Sequence, residues 1–410
     1  MLIRRLTTHF RFWTEGDLRK INLKHCCTCE INVITLISNQ PTFFGKDTAF
    51  LMPVSEFSVW LAFTCIIHYR ALPADLLYTM INIFGSVVIF LSFNFVKLEV
   101  SPNFKKCIDD FFYQKTAPKL KGLVGSTQIC QRLENHYYYA TDYDTTNRIP
   151  YYSAYTLSFD KCGNRYNGWF VEPQLANKND PSMVKINRAN NKVSTFGSKQ
   201  AVNVDYTGSG YDRGHLNPQL YHCETNDSRK ATNTLTNIAP QVPSFNQGIW
   251  NVFETTLYDI SKKYCDFVGA RRYFITGVLP SNNRFIGNGR VNIPDHYWTA
   301  VCCDSSSANG ALRDEGWSAG FVGENVDNSS IFIYSIQNFL PNTSPTLFAD
   351  YTDQNGNTVK NCLFNPTKAD NIINEIASTD DRFVKEKTSL FRRVCKAVYN
   401  VACYFVRVFG

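Results

Sequence analysis

Residues 208–218 read GSGYDRGHLNP, and residues 233–254 read NTLTNIAPQVPSFNQGIWNVFE. In the first stretch, glycines at 208, 210 and 214 admit tight or left-handed backbone. Between them Asp212, Arg213 and His215 put an acid, a fixed cation and a titratable base within four residues. Side chains alternate along a strand, so Arg213 and His215 share a face if this segment is extended. A phosphate held by the guanidinium then lies within reach of the imidazole. Taken alone, the same residues would also make an ordinary Asp212–Arg213 salt bridge beside a structural histidine.

The second stretch carries Asn237, Asn246 and Glu254 at fixed offsets. Beyond Asn246, the apolar residues Ile249, Trp250, Phe253, Leu257 and Ile260 recur at helical spacing and predict a helix with one apolar face. With the helix beginning near Asn246, Glu254 follows eight residues later, a little over two turns, so both side chains project from roughly the same side. An amide oxygen near a carboxylate suits a hard divalent ion that keeps most of its waters. The competing reading makes Asn246 a helix N-cap and Glu254 a solvated surface charge.

Around these stretches the chain reads as short strands and loops. Ile149–Phe159, Tyr273–Leu279 and Ser330–Leu340 are apolar or alternating runs separated by Gly, Asn, Asp and Pro clusters. With 44% hydrophobic and 19% charged residues, the 410-residue composition argues against a disordered chain and against a many-span membrane protein. The 31 Phe and 22 Tyr suit packed strands better than an all-helical fold.

The net charge of +7 sits at the ends: residues 80–384 carry 28 basic and 28 acidic groups. Polyanion binding by the middle of the chain must therefore rest on a local site. Fourteen cysteines, ten of them widely and irregularly spaced from Cys107 to Cys403, favour disulfides over zinc.

Residues 1–79 show no legible architecture and are an unassigned N-terminal extension. Ile81–Val96 is an uncharged, mostly apolar run just after Met80, so 80–100 suits a signal peptide, with a retained anchor or buried helix as the alternative. The sequons at Asn226, Asn328 and Asn342 agree with a secretory route, giving a secreted or luminal protein in an oxidising compartment. Residues 101–384 form the main domain. The tail, Lys385–Gly410, interleaves basic and apolar residues as an amphipathic helix would. It fits peripheral membrane contact or packing on a protein surface.

YDRGHLNP at 211–218, LTNIAPQ at 235–241 and FNQGIW at 245–250, in that order, resemble the DNA/RNA non-specific endonucleases of the ββα-metal fold. They are most similar to the secreted endonuclease domain-containing 1 proteins. Residues 129–155 resemble the stretch preceding the active site in those proteins, and the likeness runs from about Cys107 to about Asn365. The resemblance implies an α+β domain with a central, mostly antiparallel sheet flanked by helices, and Mg²⁺-dependent hydrolysis of DNA and RNA, with Mn²⁺ as an alternative ion. It implies His215 as general base, Asn246 as the metal ligand, Arg213 as a cation beside the phosphate and Asn237 as a polar support. Glu254 matches a group holding metal-bound water, and Arg148 a second phosphate-facing arginine. Tyr258 stands one turn after Glu254, where some bacterial members carry arginine. That departure keeps open the alternative of a catalytically weak or inactive nuclease-fold binding protein.

Overall fold

The computed structural model describes residues 100–118, 120, 126–161, 163–339, 346–353 and 356–386. The expectations for the N-terminal extension, the leader, the Asn342 sequon and the basic tail from 387 onward lie outside the described residues.

In chain order, the strands begin with β1 (Val100–Ser101), β2 (Ser126–Leu133), β3 (His136–Asp144) and β4 (Ile149–Thr156). Two small ribbons follow, β5 (Phe170–Val171) with β6 (Val184–Lys185) and β7 (Asp212–His215) with β8 (Ile238–Gln241). Next come β9 (Arg271–Leu279), the hairpin β10 (Phe285–Ile286) and β11 (Val291–Asn292), and β12 (His296–Asp304). The last are β13 (Trp317–Glu324), β14 (Ile331–Ser335), the hairpin β15 (Tyr351–Thr352) and β16 (Thr358–Val359), and β17 (Phe383–Lys385).

Nine of these strands form one sheet in the order β1-β2-β3-β4-β9-β12-β13-β14-β17. Every neighbouring pair is antiparallel except β14 and β17. The fold is therefore α+β with a mostly antiparallel central sheet, as the motifs implied.

Both faces of the sheet are covered, which explains the unbroken apolar texture of its central strands. All nine residues of β12 are buried. Alternation sends Tyr297, Val301 and Cys303 into one core and Trp298, Ala300 and Cys302 into the other. The second core is roofed by residues around Phe104–Tyr113 and by Phe339, Leu347 and Phe348. The first is roofed by the two ribbons and by helices α1 (Asn251–Tyr264) and α2 (Pro366–Ala377).

Three disulfides lie among the described residues, Cys107–Cys130, Cys265–Cys303 and Cys302–Cys362. The neighbours Cys302 and Cys303 thus staple opposite layers to the same strand. Among the described residues, no helix is long and apolar enough to cross a membrane.

Helix α1 buries the face its periodicity predicts. Phe253, Leu257 and Ile260 point inward, continuing Ile249 and Trp250 from the preceding turn. Phe253 packs on Phe321 at 4.9 Å and Trp250 on Tyr297 at 5.6 Å between ring centroids. Truncating such an aromatic anchor typically costs ~3–5 kcal/mol, so these contacts fix α1 against the sheet. The helical path starts at Pro243, three residues before the expected position, and runs through a wide turn over Phe245–Trp250 with non-helical dihedrals at Gly248.

Candidate active site

The β7–β8 ribbon and α1 form a strand-strand-helix unit laid on one face of the sheet: residues 216–237 join the two strands, and the wide turn leads from β8 into α1. Gly208 and Gly210 take φ of +69° and +79° at the turn into β7, a conformation side chains resist. Gly214 has a different reason to be glycine. A Cβ there would stand 2.2 Å from Gln241 Oε1 and 2.8 Å from the Tyr297 hydroxyl, so β7 sits close against the ribbon and sheet behind it.

With Gly214 facing the sheet, Arg213 and His215 face the other way. Trp169 bridges them: its ring lies 5.6 Å from the imidazole and 5.2 Å from the guanidinium carbon. Arg213 Nε donates to Asn203 Oδ1 at 3.0 Å, and the group also rests on Tyr206 at 5.4 Å. Burial pulls the Arg213 pKa below its ordinary value, countered by Tyr206 and Asp212.

The His215 ring is held by one bond that decides its tautomer. Its Nε2 lies 2.8 Å from Asn233 Oδ1. Asn233 Nδ2 donates to the carbonyls of Tyr166 (3.1 Å) and Gly168 (2.8 Å), so the amide cannot be turned over without losing both. Gln219 Nε2 donates to the same Oδ1 at 2.6 Å. The oxygen therefore accepts, His215 Nε2 carries the hydrogen, and Nδ1 keeps the lone pair. Burial lowers the His215 pKa to about 4; the Asn233 bond raises it somewhat, and the nearby Arg165 charge lowers it further. The imidazole is neutral at physiological pH.

Asn246 meets the ribbon at its other end. Its Nδ2 donates to Asp212 Oδ2 at 2.8 Å, an oxygen that also accepts from Gln247 Nε2 at 2.8 Å. This fixes the Asn246 amide with Oδ1 turned away from Asp212. No described group donates a hydrogen bond to that oxygen, and the side chain caps no helix.

Glu254 Oε1 accepts from Trp250 Nε1 at 3.1 Å, and Tyr221 holds the Glu254 backbone carbonyl at 2.8 Å. Burial raises the carboxyl to about 8, opposed by the Trp250 bond and by Arg165. Tyr258, one turn on, packs edge-on against Phe159 at 5.6 Å and stacks on Tyr221 at 6.3 Å. It fills space there without supplying charge.

Two predicted residues have no free polar group. Asn237 is fully buried. Its Oδ1 accepts from Ser153 Oγ and the Asn217 amide, and its Nδ2 donates to the Asn217 and Thr232 carbonyls, which ties β8 to the chain just after His215. Arg148, matched to a phosphate-facing arginine, is engaged with backbone carbonyls. Its guanidinium donates to the carbonyls of Thr146 and Arg290 at 3.0 Å, Ser198 at 3.1 Å and Gly197 at 3.4 Å, pinning three loops.

Three residues at the site escaped sequence reading: Asn233, Trp169 and Arg165. The loop that carries the last two is latched down by Arg229 Nη1 on the Asn164 carbonyl (2.9 Å) and by Gln219 on both backbone groups of Tyr166 (3.0 and 2.9 Å). Arg165 lies between these anchors with its side chain exposed, and its charge acts on both His215 and Glu254. Its signal in the sequence was faint, an arginine and a tryptophan in an irregular stretch about 50 residues before His215.

Comparison with known proteins shows the family. Residues 123–340 match the family model described as DNA/RNA non-specific endonuclease. The human Endonuclease domain-containing 1 protein is 33% identical over 299 residues, covering 71% of this chain and 55% of that protein. Human mitochondrial Endonuclease G is 31% identical over 125 residues, 28% of this chain and 40% of the relative. A chain from a crystal structure of an EndoG/EndoGI complex aligns with a TM-score of 0.33 and 25% identity over 47% of this chain and 74% of its own length. The chain spans about half the length of the curated relatives it matches. Through the family model, which covers more than half of its residues, this chain belongs to the DNA/RNA non-specific endonuclease family.

Proposed function

We propose that the protein hydrolyses phosphodiester bonds of DNA and RNA without sequence preference, using Mg²⁺ or Mn²⁺, with His215 as general base. The observation that carries this reading is the His215–Asn233 pair, which commits Nε2 to a structural bond and leaves Nδ1 basic. Nδ1 takes a proton from water as the water oxygen bonds to phosphorus. The bond from phosphorus to the 3′-oxygen breaks, and that oxygen takes a proton from solvent, giving a 5′-phosphate and a 3′-hydroxyl. Arg213, oriented by Asn203, and Arg165, exposed beside the histidine, offset the charge that builds on the phosphate. Trp169 holds the imidazole and the Arg213 guanidinium in register.

The residues present fit a divalent ion. Asn246 has its nitrogen bound to Asp212 and its oxygen available, and the Glu254 carboxyl, its pKa raised by burial, stands on the helix that follows. One amide oxygen with otherwise water ligands is the sparse donor set a reluctantly dehydrating cation accepts. A bound ion would polarise a phosphate oxygen and stabilise the leaving 3′-oxygen. Glu254 would orient water at that position, and Asn237 supports the site by fixing the backbone beyond His215. Contacts with phosphate and sugar carry no base information, hence the weak selectivity. The disulfides support a secreted or luminal setting.

Plasmid degradation by the full chain with Mg²⁺, with EDTA and with His215→Ala tests the reading. Loss of cleavage in both controls is expected. Equal traces for the wild type and His215→Ala would reject catalysis and leave a nucleic-acid-binding protein on a nuclease fold.

A further inference from the structure

Charge is unevenly placed around the site. Residues 173–204 hold Lys178, Lys185, Arg188, Lys192 and Lys199 against Asp180 alone, whereas the rest of 80–384 carries 23 basic and 27 acidic groups. All five cations are exposed. None forms an ion pair with another described residue. Lys178 lies over the Phe196 ring at 5.1 Å, a contact that leaves its charge uncompensated. Five cations and one carboxylate on a single excursion produce a local positive field that the balanced total conceals.

The excursion is fastened to the site at both ends. At its start, β5 pairs with β6 so that Lys185 lies opposite Phe170, and the Ile186 amide donates to the Trp169 carbonyl at 2.7 Å. Gln200 returns to the same place, its side chain exchanging two bonds with the Glu172 backbone at 2.8 and 2.6 Å. At its end, Asn203 holds the Arg213 guanidinium, and Tyr206 lies against it just beyond. The basic segment therefore leaves from one neighbour of the Arg213–His215 face and comes back to another.

We propose that residues 173–204 form an electrostatic track for the sugar-phosphate backbone on one side of the scissile position, which makes polynucleotides the preferred substrates over short diesters. This rests on the reading that the Arg213–His215 face takes a phosphate. An anionic membrane is the weaker match, because a membrane-lying segment needs an apolar face beside its cations. Among the large apolar residues of the segment, only Val193 and Val204 are exposed. The track adds affinity and salt dependence but no base preference.

The test is fluorescence anisotropy of a labelled single-stranded DNA 20-mer with the full chain in EDTA, where binding is read without cleavage. Replacing all five residues (Lys178→Gln, Lys185→Gln, Arg188→Gln, Lys192→Gln and Lys199→Gln) should weaken binding about 10- to 100-fold near ~0.1 M salt. The slope of log affinity against log salt should shrink by about 2 to 3.5. Exchanging Lys for Arg and Arg for Lys at the five positions should keep wild-type binding, which separates charge from folding. In Mg²⁺ the glutamine variant should show a raised KM on a long strand. Wild-type affinity and slope in that variant would overturn the track, as would a wild type that binds phosphatidylserine vesicles but not the 20-mer. Failure of the catalytic reading looks different: steep, salt-dependent binding of the 20-mer with no cleavage when Mg²⁺ is added.

Discussion

The strand-strand-helix unit and the loop that covers it reach His215 by opposite routes. The unit comes from one stretch of chain, residues 212–264. It carries Arg213, His215 and Glu254 on regular elements whose periods set the direction of each side chain, and Asn246 on the wide turn that leads into α1. The covering loop arrives from about 50 residues upstream, is irregular, and supplies carbonyls, a tryptophan and an arginine. The groups proposed to react come from this one stretch, while Trp169, which touches two of them, and Arg165, whose charge biases their protonation, come from elsewhere in the chain. The two regions meet at Asn233, which bonds to the imidazole on one side and to the loop carbonyls on the other.

That division of labour can be broken from either side. The largest effect is expected in the unit: His215→Ala should lower kcat by about 10²- to 10⁴-fold, measured on a plasmid with circular dichroism to show that the fold persists. On the loop side, Arg165→Ala should lower kcat/KM by about 10²-fold if its charge acts on the phosphate. Arg148→Ala should stay within about threefold of wild type in activity yet lose ~1–3 kcal/mol of stability, because its charged hydrogen bonds hold loops together. The opposite ranking of the two arginines would return Arg148 to the substrate.

At the junction, Asn233→Ala should lower kcat by about 10- to 100-fold. Asn233→Asp should move the acid limb of the pH-rate profile upward, since a carboxylate beside Nε2 favours imidazolium. An unmoved limb would mean that the histidine does not act as the base.

The smallest effect concerns stability against pH. His215 is lowered from 6.5 to about 4, so as pH falls through that range the unfolded chain binds its proton first and stability is lost. Glu254 is raised from 4.5 to about 8, so as pH rises through that range the unfolded carboxyl ionises first and stability is lost the other way. The slopes oppose each other where the two ranges overlap. Above pH 6.5 only the Glu254 slope persists, and Glu254→Gln should flatten the decline in melting temperature between pH 6.5 and 8 in EDTA.

Much of the unit was legible because its signals are local. Alternation placed Arg213 with His215, and helical spacing placed Phe253, Leu257 and Ile260 in the core. The strand expected at Ile149–Phe159 is β4, ending at Thr156, and Tyr273–Leu279 lies within β9. The rest depends on contacts distant in sequence. Nothing near Ile149 announces that β4 will pair with β9 after an excursion of more than a hundred residues. Arginines look alike in sequence until their donors are traced: neither the carbonyls that hold Arg148 nor the loop that carries Arg165 could be read there. Asn237 was legible as an amide in the right motif, but only the fold shows both its polar atoms turned inward.

The adjacent cysteines of β12 do more than cross-link. Cys303 reaches back to Cys265 at the end of α1, while Cys302 reaches the opposite layer at Cys362. A slip of β12 by a single residue would turn each thiol toward the wrong side of the sheet. Only a correctly registered central strand can close both bonds.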